Sequence, residues 1–328
     1  MQMDDISPSI CIIIPTYNSE RSLAKCLSSI RYQKYPDSKI QIFIVDGGSI
    51  DKTLEIAAKY NVTKVIKNIR RIEELGRPLA IKATTSELIA FIDSDNILPN
   101  PDWLRKMVEP FEDTQIVGSE PIQYTYRKKD GALTRYCSLI GADDAIYPYF
   151  ENYDRLCRFK GSWTEVPIKV ENKKNYLKIK IDKNNIPMMG ANGFIVRSNV
   201  LGKTEHKFFL HTDLIYRLAM SGKNCFAKVK VGIIHLHGEN FSTYLEKKIR
   251  RIRKYYAWKN HRVYFPIINR KRKINIVFSA IILIPIIRDV VRGYRCIPDK
   301  AWFIHPIALY LSLASYALGI VEAKISMK

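Results

Sequence analysis

The chain has 328 residues, enough for one catalytic-sized domain of roughly 200–250 residues and something smaller. Apolar residues make up 47%, which excludes wholesale disorder, and a formal charge of +21 calls for polyanionic partners: nucleic acid, anionic headgroups or phosphorylated substrates. Six scattered cysteines form no Cys-x-x-Cys pair, which argues against a zinc knuckle or redox motif and for reduced thiols on the cytoplasmic side.

The opening segment MQMDDISPSI is acidic and carries no apolar run of a cleavable leader. Residues 10–14 form a continuous apolar run before Pro15, the pattern of a buried strand. Asn18 or Ser19 then caps a helix bearing Leu23, Leu27 and Ile30. A second buried strand at 40–45 ends in Asp46-Gly47-Gly48-Ser49, with Ser49 placed to cap the next helix. A short strand at 64–66, a helix at 78–84 and a strand at 88–92 follow, the last running into Asp93-Ser94-Asp95. This alternation predicts an α/β domain with a mainly parallel sheet. Ligands of such sheets lie beyond the carboxyl ends of the strands, so the polar clusters at 16–18, 46–49 and 93–96 converge on one crevice.

Residues 166–170 and 176–181 read as a β-hairpin, and 190–193 leads into a strand at 194–196. A helix is predicted over 213–221 and a strand over 225–234. The last eighty residues differ. Lys247, Lys248, Arg250, Arg251, Arg253 and Lys254 stand among Tyr255, Tyr256 and Trp258. Two apolar stretches come next, 274–287 (extended by Val290 and Val291) and 301–321, the second long enough to cross a bilayer (about 20 residues).

Two carboxylates in one turn after a buried strand are hard oxygen ligands for Mg²⁺ or Mn²⁺ beside a diphosphate. Read alone, Asp-x-Asp is common in solvated loops; the run LIAFI before it delivers the pair to a sheet edge. Asp46 also suits a plain turn former, and Asp213 an ordinary helix cap.

The blocks CIIIPTYN, IVDGGSIDKT and GRPLAIKATTSELIAFIDSDN, in that order, resemble the family 2 glycosyltransferases of the GT-A fold. MMGANGFIVRS and HTDLIYRLAMSGKN resemble its acceptor-side blocks, so the likeness covers about 9–242. The subgroup brought closest is that of polyprenyl-phosphate sugar transferases and small cellulose-synthase-like enzymes. The resemblance implies a GT-A, Rossmann-like mixed sheet flanked by helices, followed by C-terminal interfacial and transmembrane helices. It implies a catalytic domain at 1–243, a basic amphipathic helix at 244–270 and a membrane region with two apolar helices at 271–328.

Carried over residue by residue, Pro15, Tyr17 and Glu20 line the nucleotide pocket, and Asp46 contacts base or ribose. Arg77 stands near the nucleotide. Asp93, with Ser94 beside it, faces ribose and metal, and Asp95 faces metal and diphosphate. Asn192 faces sugar or acceptor. Asp213 is the catalytic base, and His237, or His235, completes the Mg²⁺ or Mn²⁺ site. Apart from the resemblance, the guanidinium geometry of Arg250, Arg251 and Arg253 suits holding a phosphate, or equally a basic interfacial helix drawn to anionic headgroups. The implied reaction is inverting transfer of a hexose from GDP-mannose or UDP-glucose to a lipid-linked acceptor at a membrane.

Two departures from the family pattern matter. Gly47 and Gly48 stand where a second acid usually follows Asp46, and Leu210-His211 stand where Glu-Asp usually precedes the late helix. The base is therefore His211 or Asp213; a carboxylate at a helix start is favoured as the anion. Nucleic acid is disfavoured as a partner, because much of the basic excess crowds before apolar segments. Lys271-Arg272-Lys273 favours a cytoplasmic start to the first stretch, whereas Arg292 and Arg295 oppose a simple two-crossing hairpin.

Overall fold

A computed structural model describes residues 7–70, 73–202, 209–238, 241–265 and 283–326. They fall into two compact units: residues 1–122 with 167–236, and residues 123–166 with 237–328. Segment 123–166, placed by sequence inside the catalytic domain, thus groups with the C-terminal region.

The first unit is built on one mixed sheet. Its parallel part pairs β1 (Ile10–Thr16) with β2 (Ile40–Asp46) and β4 (Leu88–Phe91), with β3 (Lys64–Lys67) outside β2. The helices α1 (Glu20–Arg31), α2 (Thr53–Lys59) and α3 (Glu73–Ala83) are the crossovers. Ile10, Ile12, Ile13 and Ile14 are fully buried, as a strand covered on both faces requires. After β5 (Asn96–Ile97) and α4 (Trp103–Val108), the sheet continues antiparallel through β6 (Gly118–Tyr124). The hairpin pairs β7 (Lys169–Asn172) with β8 (Tyr176–Lys180), Val170 opposite Ile179. Beyond it come β9 (Phe194–Arg197), α6 (His211–Met220) and β10 (Cys225–His235), helix α5 (Ala132–Ile140) having preceded the hairpin in the chain. The order across the sheet is β3-β2-β1-β4-β9-β6-β10-β8-β7, with β5 on β10.

Three sequence expectations shift. The second helix is not capped by Ser49: it begins at Thr53, and Ser49 hydrogen-bonds back to Asp46. The third helix begins at Glu73 rather than at Pro78. Pro78 has no N–H for the Glu74 carbonyl one turn back, and that carbonyl accepts from the Phe209 backbone N–H at 2.7 Å instead. The missing donor thereby fixes the segment that leads into α6. Helix α6 itself starts at His211 with Leu210 at its cap, so Asp213 lies within the first turn rather than capping it.

The second unit is helical. Helix α5 packs with α7 (Phe241–Ala257), α8 (Ile284–Cys296) and α9 (His305–Ser326) around Tyr136, Leu139, Ile140, Ile286, Trp302 and Leu309. The core also encloses charge. Asp144, fully buried, meets Lys248 at 3.1 Å and accepts a hydrogen bond from Tyr316. Burial works to raise the Asp144 carboxyl, and Lys248 and Tyr316 overcome it, leaving it below its ordinary value. Most of the first apolar stretch lies outside the described residues. The second forms α9, part of a span of 23 residues, Lys300–Glu322, long and apolar enough to cross a membrane.

Candidate active site at the carboxyl ends of the parallel strands

The three strand-end loops are stitched together. In the loop after β1, Asn18 adopts a left-handed conformation (φ 49°), which asparagine tolerates. Its N–H donates to Ser49 Oγ at 2.9 Å and its Oδ1 accepts from Ile50 N–H at 3.0 Å. Ser94 Oγ in turn donates to Ser19 Oγ at 3.1 Å, tying the third loop to the first. Glu20 Oε2 accepts from Lys52 N–H at 3.2 Å, clamping α1 to the second loop. Pro15 is half-buried on β1, and Tyr17 stays 54% exposed at the mouth of these loops.

Asp46 is buried, and its oxygens serve the loop. Oδ1 accepts from Thr16 Oγ1 (2.9 Å) and Ser49 Oγ (2.5 Å); Oδ2 accepts from the N–H groups of Gly48 (2.8 Å) and Ser49 (2.9 Å). Two acceptances per oxygen fill the usual lone-pair positions of a carboxylate. Asp46 thus shapes the turn, with Gly48 at φ 85°.

Asp93 and Asp95 have different partners. Arg77, only 1% exposed, donates from Nη2 to Asp93 Oδ1 at 2.8 Å. Its guanidinium lies 5.8 Å from the ring centres of both Phe91 and Phe209. Helix α3 can deliver it there because Gly76 has no Cβ; one would meet Val45 Cγ1 at 2.6 Å. Asp95 Oδ1 lies 3.3 Å from His235 Nε2, and the Asp95 carbonyl accepts from Leu236 N–H at 2.9 Å. The end of β10 is thereby held on the Asp-x-Asp turn.

The acceptor-side residues lie on the same unit. Asn192 is buried at φ 47°, between Gly190 (φ 110°) and Gly193 (φ 90°). Gly193 N–H bonds to the Phe91 carbonyl at 2.8 Å, placing this loop beside β4. A Cβ on Gly190 would meet His211 Cβ at 2.7 Å, so the loop and the start of α6 are in close contact. Gly190 N–H donates to Glu120 Oε1 at 2.9 Å, and Glu120 Oε2 pairs with Lys228 at 2.7 Å, both side chains fully buried. The sequence reading did not find this pair; a lysine and a glutamate within apolar strands were its only trace.

Asp213 is buried in the first turn of α6. His211, one turn face away, has Nδ1 3.4 Å from Arg77 Nη1. A guanidinium can only donate, so in this contact His211 Nδ1 is the acceptor.

Three predicted site residues belong to the second unit. His237 Nε2 stands 3.8 Å from Asp143 Oδ1, and His237 N–H donates to Thr134 Oγ1 at 2.9 Å. Arg253 forks onto Glu322 Oε2 at 2.9 and 2.7 Å, and Arg250 is exposed on α7.

A carboxylate oxygen and an imidazole nitrogen side by side are donors that suit Mn²⁺ or Mg²⁺ chemistry, so Asp95 and His235 fit such an ion. Asp93 sits differently, its charge already met by Arg77.

A parallel sheet that presents an Asp-x-Asp turn beyond β4, then continues as an antiparallel sheet, is the GT-A architecture of nucleotide-sugar-dependent transferases. The chain belongs to glycosyl transferase family 2, whose sequence model matches residues 11–201. Glycosyltransferase AglE of Haloferax volcanii is 32% identical over 143 residues, 42% of this chain and 46% of that protein. The dolichyl N-acetyl-alpha-D-glucosaminyl phosphate 3-beta-D-2,3-diacetamido-2,3-dideoxy-beta-D-glucuronosyltransferase of Methanococcus voltae is 32% identical over 109 residues, covering 31% of this chain and 34% of that protein. The matched part thus spans less than half of these relatives. Mannosyltransferase PcManGT from Pyrobaculum calidifontis, solved with GDP-Man and Mn²⁺, shares the fold at a TM-score of 0.54 and 15% identity, over 97% of this chain and 90% of that one.

Proposed function

We propose that this protein is an inverting, metal-dependent glycosyltransferase that moves a hexose from a nucleotide-diphosphate sugar to a lipid-linked acceptor at a membrane. The observation that carries the reading is the joining of the Asp93-Ser94-Asp95 turn to the two neighbouring strand-end loops, with Arg77 and His235 fixed on its two acids. GDP-mannose or UDP-glucose is the proposed donor. The fold neighbour solved with GDP-Man supports the mannose donor, and the relative named for a dolichyl-linked substrate supports a lipid-linked acceptor.

Tyr17, at the open mouth of the loops, offers its ring to the nucleotide base, and Asp46 keeps the loop backbone in place beneath it. Arg77 holds Asp93 oriented toward the ribose. Asp95 and His235 would hold Mg²⁺ or Mn²⁺, which supplies Lewis-acid neutralisation of the departing diphosphate when bound. Asn192 lies beside β4 to orient sugar or acceptor. The acceptor oxygen attacks the anomeric carbon opposite the leaving diphosphate, inverting that centre, and Asp213 takes the proton of a hydroxyl acceptor. A lipid-phosphate acceptor is already an anion and needs no such transfer. Arg250 and Arg253, on the basic helix, serve the headgroup or phosphate end of a lipid substrate.

The test is thermal stabilisation by a panel of nucleotide sugars with and without Mn²⁺, followed by product analysis with polyprenyl-phosphate and lipid-linked glycan acceptors. A Mn²⁺-dependent rise in Tm with one donor, and sugar transfer to lipid, supports the reading. Equal response to all donors, or none, removes it.

A further inference from the structure

Helix α9 is apolar on both faces. Its buried face carries Ala308 and Leu309 with His305, Ser312 and Ser315. Its exposed face carries Phe303 just before it, then Ile307, Tyr310, Leu318, Val321 and Ile325. At 100° per residue these exposed positions fall on one stripe. Such a face suits lipid, and the length suits a transmembrane span.

The neighbour of α9 rules out the span. Helix α7 runs beside it in the same direction. Tyr244 meets Ser312 (3.3 Å between hydroxyls), Ile252 packs where a Cβ on Gly319 would stand 2.8 Å from it, and Arg253 holds Glu322. Lys248 and Tyr316 share Asp144 between the first and second of these contacts. Helix α7 carries Lys247, Lys248, Arg250, Arg251, Arg253 and Lys254, with Lys247, Arg250, Arg251 and Arg253 exposed. Hydrocarbon does not accept a helix so charged. The part of α9 before Ser312 is about 10 Å long at 1.5 Å per residue, against a hydrocarbon core of about 30 Å.

Helix α8 repeats the arrangement in three faces. Ile286, Val290 and Gly293 are buried; Ile284, Ile287, Val291 and Tyr294 are exposed; Arg288, Arg292 and Arg295 flank the exposed row. Tyr294 and Phe303 lie 6.0 Å apart with their rings tilted by 33°, joining this row to that of α9.

We infer that α8 and α9 lie in the plane of one membrane leaflet, their apolar stripes inserted among the acyl chains and their arginines on anionic headgroups, without α9 crossing the bilayer. Apolar stripe, flanking cations and a long helix held flat by the protein are the features of a monotopic attachment. The inference rests on, and sharpens, the membrane attachment proposed above. Its readouts are independent of sugar transfer.

The experiment uses the full chain. In a Cys225→Ser, Cys296→Ser background, Lys300→Cys and Glu322→Cys, both off the inserted stripe, are placed singly and challenged with a membrane-impermeant maleimide in sealed inside-out vesicles. Both ends of α9 react equally without detergent if the helix lies flat; an end that reacts only after detergent overturns the inference. In parallel, flotation with phosphatidylcholine vesicles, with and without phosphatidylglycerol, compares the wild type with Phe303→Glu/Ile307→Glu and, separately, Ile287→Glu. Anionic lipid strengthens binding, and the glutamate variants weaken it by about ten-fold or more while keeping wild-type Tm and nucleotide binding. Undiminished flotation of the variants overturns the inference, as does a lipid-free dimer that the same substitutions dissolve. Loss of donor binding in the wild type would instead count against the proposed activity and leave the lipid result standing.

Discussion

Arg77 holds Asp93 through a 2.8 Å hydrogen bond, from a position beside the paired rings of Phe91 and Phe209 where its own side chain is 2% exposed. A guanidinium stacks on rings and forks onto a carboxylate; an ammonium does neither as well. Arg77→Lys therefore keeps the charge and loses the geometry. Donor affinity falls about ten-fold or more, measured by titration with the nucleotide sugar, and Tm drops by several degrees. A variant that binds donor like the wild type would show that the pair is structural only.

Asp213 and His211 share the first turn of α6, and with His211 Nδ1 3.4 Å from Arg77 Nη1 the base proposed is Asp213. Asp213→Asn lowers kcat by about 10²-fold or more with a hydroxyl acceptor, at unchanged donor binding. With a lipid-phosphate acceptor the same variant stays near normal. His211→Ala reducing kcat equally, with Asp213→Asn active on both acceptors, reverses the assignment.

Metal affinity is predicted to depend on Asp95 and His235. Asp95→Asn and His235→Ala each weaken Mn²⁺ binding in the presence of nucleotide, read by calorimetry, by about ten-fold or more. Unchanged affinity in both variants would move the metal elsewhere.

Glu120 and Lys228 are buried with no water-exposed surface, and Glu120 also receives the Gly190 N–H. Removing one partner strands the other charge. Lys228→Met costs about 3–5 kcal/mol in denaturant unfolding, and adding Glu120→Gln recovers part of it. If the single variant costs less than about 1 kcal/mol, the pair is not fully dehydrated in solution.

Acid stability reports on His305. Tyr136 O–H donates to Nδ1 (2.7 Å), Nε2–H donates to Tyr149 Oη (2.8 Å), and Tyr149 O–H donates to Asp289 Oδ2 (3.1 Å). Every group is satisfied with the imidazole neutral. Burial lowers its pKa from 6.5 to about 4. The unfolded chain therefore binds the extra proton first, so stability is full above about pH 6.5 and declines as pH falls toward 4. The loss reaches roughly 3 kcal/mol at 1.4 kcal/mol per pH unit. His305→Gln flattens this part of the profile; an unchanged slope would place the titration on another group.

Much of this was legible in the chain itself. The apolar run before Pro15, the run LIAFI before Asp93 and the turn residues after each strand fixed the parallel strands and the loops that meet beyond them, because buried strands and turns are written in local pattern. The family blocks pointed to Asp93, Asp95 and Asp213 as the residues whose roles are proposed above. The Asp-Gly-Gly pattern after β2 marked a turn, but that Asp46 accepts four hydrogen bonds from Thr16, Gly48 and Ser49 was visible only in the structure.

The sequence by itself determined the order of strands and helices, the Asp-x-Asp turn and the basic, apolar character of the C-terminal region, since each depends on neighbours within a few residues. The tertiary structure alone decided that Pro78 frees a carbonyl for Phe209, that Arg77 rather than solvent meets Asp93, and that α7 lies along α9. Those facts join residues 16 to 135 positions apart, and hydrophobic periodicity records which face a residue turns inward but not what it meets there.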